Sequence, residues 1–152
     1  MSSTLRSYRY RLVNVFADAP LAGNPLCVFE DARGLDDATM QALALQFNLS
    51  ETTFVLPSAT ATAHVRIFTP TFEMPFAGHP TLGTAQVVRS LLGTSDSITL
   101  EMGAGIIPLT ANGDVAPRRT IRAAPKGEMA LGIGNPGAVA YDTKRKEILV
   151  PN

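Results

Sequence analysis

The sequence predicts an α+β domain in which a largely antiparallel sheet packs on a helix. Three observations carry that prediction. Strand-like and helix-like segments follow the order β-β-α-β-β-α-β-β-β, not the regular alternation of a doubly wound parallel fold. Only two segments show the 3.6-residue apolar spacing of a helix; the rest are short runs bounded by turn residues. Hydrophobic residues make up 45% of the 152 and charged ones 17%, so a compact chain of this size has a sizeable core.

Each element has a local cause. Tyr10 to Phe16 is rich in valine and aromatic residues and reads as a strand, broken by the turn residues from Asp18 to Pro25. Leu26 to Phe29 resumes as a second strand. Asp36 caps a helix to about Phe47, with Met40, Leu43, Ala44 and Phe47 on one face and Asn48 suited to its end. Glu51 to Leu56 is a strand that Pro57 turns. In Ala63 to Phe68, Val65 and Ile67 point one way and His64, Arg66 and Phe68 the other, which predicts a sheet with one buried face. A second helix runs from Pro80 to about Leu92 and stops at Gly93. Ile98 to Met102 and Ile106 to Leu109 are strands, and Asn112-Gly113 is a hairpin signal leading into Thr120-Ile121.

Composition excludes several classes. Thirteen basic and thirteen acidic residues balance, so no field steers the chain toward nucleic acid or an anionic membrane. The basic run Lys144-Arg145-Lys146 is short and reads as a solvated turn. One cysteine, Cys27, excludes an internal disulfide and lies in an apolar strand as a buried thiol. Two histidines and one cysteine, far apart, give no zinc-type spacing, and no metal site is expected. There is no phosphate loop, no dinucleotide fingerprint in a strand-to-helix context and no nucleophile elbow, so the expected chemistry uses no cofactor. No apolar run is long enough for a membrane span or a signal peptide, which implies a soluble, cytoplasmic protein.

The chemistry concentrates in Phe76-Ala77-Gly78-His79-Pro80-Thr81-Leu82-Gly83. Pro80 suits the first helical position, which makes His79 the N-cap and leaves the amides around Thr81 and Leu82 without partners inside the helix. Such a terminus favours negative charge and seats a carboxylate or a developing enolate. Gly78 permits close approach of a ligand to the backbone. Ser50-Glu51, leading an apolar strand, supplies a base, with Ser50 placed to orient the Glu51 carboxylate. His64, on the polar face of its strand, reads as a satisfied or exposed histidine.

Four blocks make the sequence recognisable. Val13-Asn14-Val15-Phe16 with Leu21 to Phe29, then Leu49 to Val55, then Arg66 to Pro70, then Phe76 to Gly83 closely resemble the phenazine-biosynthesis (PhzF-like) isomerases over residues 8–110. The resemblance implies a diaminopimelate-epimerase-like fold: a mostly antiparallel, barrel-like sheet wrapped around a central helix, one of two such domains that meet across a cleft. It further implies cofactor-free movement of a proton on a dihydro-hydroxyanthranilate-like carboxylate, with Glu51 as general base. His79 joins it as the second catalytic residue; Ser50, Gly78, Asn24 and Thr81 bind substrate. Related epimerases carry a cysteine at this helix start, where this chain has Gly78-His79, so a two-thiol mechanism is disfavoured.

The pattern also departs from the family. Family members are about twice this length, and their second domain carries Gly-Asp-Pro-x-x-Gly, a motif absent here. Residues 1–115 are therefore expected to form the PhzF-like domain and 116–152 a divergent tail, the opening of an incomplete second domain. Gly134-Asn135-Pro136 faintly repeats Gly23-Asn24-Pro25, as a duplication would leave. The leading expectation is an isomerase or epimerase, paired as a homodimer to replace the missing wall of the cleft. The alternative is a non-catalytic binding or dimerisation module, or an inactive truncated family member.

Overall fold

The computed structural model describes residues 6–19 and 21–110, together with the strands Ala140–Asp142 and Glu147–Leu149. The chain divides into two compact units, Met1–Ala111 and Asn112–Asn152. In the first unit the strands are β1 (Tyr10–Val15), β2 (Asn24–Phe29), β3 (Thr52–Leu56), β4 (Ala63–Phe68), β5 (Glu73–Met74), β6 (Ile98–Met102) and β7 (Gly105–Leu109). The helices are α1 (Asp37–Phe47) and α2 (Gly78–Leu92). In the second unit β8 (Ala140–Asp142) pairs antiparallel with β9 (Glu147–Leu149). The expected turns at Asn112-Gly113, Gly134-Asn135-Pro136 and Lys144-Arg145-Lys146, and the expected strand at Thr120-Ile121, lie outside the described residues.

The sheet of the first unit runs β1-β2-β3-β4-β6-β7, with β5 beside β4. Four of its pairings are antiparallel and two, β2 with β3 and β4 with β6, are parallel. The fold is α+β as expected, and β5, only two residues long, is the strand that periodicity misses.

The expectation of one buried face is corrected: both faces of the central strands are covered. Leu26, Val28, Val55, Val65, Ile67 and Leu100 pack with Ala85, Val87 and Val88 of α2. On the opposite face Cys27, Phe29, Phe54 and Phe68 pack with Met40 and Ala44 of α1. Alternation along β2, β3 and β4 therefore sorts side chains between two helices, not between core and water. His64 and Arg66 are half-buried on the α1 side, and Arg66 holds Glu73 and Asp37 in ion pairs that tie β4, β5 and α1 together.

The caps follow local chemistry. Asp36 accepts the Thr39 amide at 2.7 Å, and Asn48 takes the left-handed conformation that ends α1. Gly93 ends α2 in the same way. At Gly83 a side-chain carbon would lie 2.7 Å from methyl groups of Leu26 and Val15, so only glycine lets α2 sit this close to the sheet. A buried hydrogen bond of 2.8 Å between Thr53 and Thr84 fixes the register of α2 on β3.

Phe54 anchors the α1 face. It is fully buried, stacks on Phe29 at 4.8 Å and meets Phe68 edge-on at 5.4 Å. Phe54→Ala is expected to destabilise the chain by about 3–5 kcal/mol through the cavity it leaves. Phe54→Leu should cost clearly less, as read by urea denaturation of both variants.

Candidate active site

The site forms where three chain segments reach the same end of the sheet. Because β2 and β3 run parallel, with Cys27 beside Thr52, their N-terminal ends bring Asn24 and the Ser50-Glu51 pair side by side. Gly23 makes the turn before Asn24. Its φ is +87°, and a side-chain carbon there would lie 2.5 Å from the Val15 carbonyl oxygen. Asn48, closing α1, turns the chain so that Ser50 and Glu51 lead straight into β3. The third segment is the N-terminus of α2.

That N-terminus differs from the expectation. Helical geometry begins at Gly78, and the N-cap is Ala77, which has no side chain to cap with. His79 is thus the second helical residue, and its ring is free to turn toward the sheet. Pro80 sits third, where it removes one donor. The Thr81 amide is not open, because it donates to the Ala77 carbonyl at 3.3 Å. The Thr81 hydroxyl donates to the same carbonyl at 2.6 Å, and the residue is buried. Thr81 therefore holds the helix start together and faces no ligand space. The amides of Gly78 and His79 are the two that remain, with no partner among the described residues. A side-chain carbon at Gly78 would meet nothing within 4 Å, so this corner of the helix is open.

His79 is the hub. Its Nδ1 lies 3.2 Å from the Asn24 side-chain nitrogen, and its Nε2 lies 3.4 Å from Glu51 Oε2. Both ionisable side chains are largely buried, His79 at 10% exposed and Glu51 at 16%. Neither His79 Nε2 nor Glu51 Oε2 has a hydrogen-bond partner among the described residues. The Ser50 hydroxyl donates to Asn24 Oδ1 at 3.4 Å, so its partner is Asn24 and not the Glu51 carboxylate it was expected to orient. The site brings together Asn24, Ser50, Glu51, Gly78 and His79, and leaves Thr81 out.

Burial holds His79 below the usual imidazole range, while the Glu51 carboxylate and the Pro25 carbonyl pull the other way. The Pro25 carbonyl is a contact the sequence reading missed; the Gly-Asn-Pro turn was its only local signal. Cys27 is fully buried and its thiol is pushed up to about 12 by desolvation, which makes it inert at neutral pH. Two surface hollows, of about 200 and 640 Å³, lie at the other end of the sheet around Asp31 and Arg33. Neither includes Asn24, Glu51 or His79. Among the described residues no group of three or more histidine, cysteine or acidic side chains is placed to hold a metal, and no helix is long and apolar enough to cross a membrane.

The family model of the phenazine biosynthesis-like proteins (PhzC-PhzF) matches residues 13–147. The chain belongs to this family. An uncharacterized isomerase of Pasteurella multocida is 50% identical over 107 residues, which are 69% of this chain and 37% of the relative. The trans-2,3-dihydro-3-hydroxyanthranilate isomerase of Pseudomonas aeruginosa is 46% identical over 102 residues, 66% of this chain and 36% of its own. A crystal structure of a phenazine biosynthesis protein of the PhzF family from Enterococcus faecalis superposes with a TM-score of 0.65 at 32% identity. That match covers 72% of this chain and 42% of the other. The PhzF-family fold is therefore shared, and the chain spans little more than a third of the length of the curated relatives named here.

The His79 environment gives a pH dependence. A histidine whose pKa is lowered by folding takes up its proton more readily in the unfolded chain, where it titrates near 6.5. Its contribution to stability is complete above about pH 6.5 and is lost as pH falls from there through the folded pKa. In an NMR titration His79 is expected to titrate below 6.5, and in Glu51→Gln lower still, because the carboxylate that favours the imidazolium is gone.

Proposed function

We propose that this chain carries the proton-transfer half of a cofactor-independent isomerase or epimerase acting on a small carboxylated metabolite of the dihydro-hydroxyanthranilate kind. One observation carries the reading: Glu51 Oε2 and His79 Nε2 are buried, 3.4 Å apart, and without a hydrogen-bond partner among the described residues. Native structures seldom leave two such atoms without partners, and a substrate polar group seated against both would satisfy them. The open amides of Gly78 and His79 beside them suit the charge that proton removal creates.

In this mechanism Glu51 takes a proton from a carbon activated by a neighbouring carboxylate or enol-ether system. The C–H electron pair moves into the adjoining π-system, and negative charge gathers at the oxygen facing the α2 amides. Proton return to another carbon, from Glu51 or through His79, completes an isomerisation with no net change of atoms. The relatives named as isomerases support this assignment.

A second reading also has an observation behind it. Leu12, on the edge strand β1, is 62% exposed and Leu21 is 93% exposed, as a surface that pairs with a second copy or another domain would be. A binding module of this kind, or a homodimer, would retain carboxylated ligands without exchanging their protons.

The test is deuterium incorporation into 2,3-dihydro-3-hydroxyanthranilate in D₂O. Glu51→Gln should slow it by about 10²–10⁴-fold, the usual contribution of a general base, with the circular dichroism spectrum unchanged. Equal incorporation by mutant and parent would remove Glu51 from the mechanism. Gly78→Ala meets open space in the protein, so its midpoint of thermal unfolding should hold while substrate KM rises.

A further inference from the structure

Four side chains at the site form a chain of contacts in which every partner's role follows from one end. Glu51 Oε2 is a buried carboxylate oxygen and can only accept. The atom that faces it is His79 Nε2 at 3.4 Å, outside hydrogen-bond geometry but close enough that the oxygen attracts an N–H there and repels a lone pair. A neutral imidazole with its proton on Nε2 has a lone pair on Nδ1. That lone pair lies 3.2 Å from the Asn24 amide, which must then present its NH₂ group to it. The Asn24 oxygen is left pointing at the Ser50 hydroxyl, which donates to it at 3.4 Å. The opposite order, with the proton on Nδ1, would set a lone pair on Nε2 against the carboxylate oxygen in a nearly dry site, which is the costlier arrangement.

We propose that Asn24 is a positioning residue that, backed by Ser50, holds neutral His79 in its Nε2–H tautomer and aims that proton at the space shared with Glu51. This rests on the proton-transfer reading for its consequence, but not for its existence. The choice of asparagine matters. An amide can donate to Nδ1, whereas the isosteric carboxylate of aspartate can only accept and would draw the imidazole proton to Nδ1. The Pro25 carbonyl also favours a proton on the ring, and the Asn24 amide, which donates at Nδ1, directs that proton to Nε2. Glu51 is the charged group that acts on His79, and because it lies 3.4 Å from Nε2 it favours Nε2–H.

Heteronuclear NMR of the ¹⁵N-labelled 152-residue chain reads the tautomer directly, with His64→Gln separating the two histidines. At a pH above the His79 titration, Nδ1 of the parent should have the shift of an unprotonated ring nitrogen and Nε2 that of an N–H. In Asn24→Asp the two shifts should exchange and the titration should move upward, because a carboxylate now faces Nδ1. Asn24→Ala, which adds no charge, should give a mixture of tautomers and serves if Asn24→Asp does not fold. Deuterium exchange by Asn24→Asp should fall about 100-fold or more in kcat with KM little changed. A parent protein with its proton on Nδ1, or variants whose shifts match the parent, would overturn the proposal. Correct tautomers with no exchange by the parent protein would count against the proton-transfer reading and leave the Asn24 assignment standing.

Discussion

The parallel pairing of β2 with β3 is the constraint on which the site depends. In an otherwise mostly antiparallel sheet, it places the start of two strands at one edge of the unit. Asn24 and Glu51, more than twenty residues apart, therefore lead into neighbouring strands from the same end. An antiparallel pairing at the same place would carry one of them to the far end of the sheet. A parallel connection needs a crossover, and α1 supplies it, capped by the Asp36 side chain at its start and by the left-handed backbone of Asn48 at its end.

The second requirement is the close seat of α2. Gly83 removes the side chain that would hold the helix off Val15 and Leu26, and Thr84 locks onto Thr53. With the helix held there, its first turn arrives beside Asn24 and Glu51, and His79 reaches both. The cap chemistry serves the same end: Ala77 leaves the helix start uncapped and Pro80 removes one donor, so two amides remain open next to the buried carboxylate. Among the described residues, two of the three buried polar side-chain atoms without a partner meet at this place, the third being the Thr52 hydroxyl. The rest of the core is aliphatic and aromatic on two faces, with its buried threonines mostly paired.

The unmet groups explain why the site reads as functional. Burial favours neutral His79, yet the ring sits against an anion and a carbonyl that favour the cation. Opposed influences of this kind mark a histidine whose protonation depends on what sits beside it. Cys27 makes the contrast: fully buried, with its thiol pushed up by desolvation alone, it is inert packing.

Much of this was legible in the chain itself, because it depends on neighbours a few residues apart. The strand and helix segments, the caps at Asp36, Asn48 and Gly93, the buried character of Cys27 and the candidacy of Glu51 and His79 all follow from local periodicity and residue chemistry. The start of α2 was misplaced by two residues, since proline is acceptable anywhere in the first turn and gives no more than an approximate boundary. The two-residue strand β5 and the second covered face of the sheet escaped for another reason: each is defined by partners distant in sequence. The contact of Asn24 with His79 spans 55 positions and is created by the strand register and the helix seat together. Residue types and their local order thus determined which groups were available for chemistry. Tertiary packing alone decided which of them meet, and that Ser50 serves Asn24 and not Glu51, because long-range contacts are set by how the elements dock.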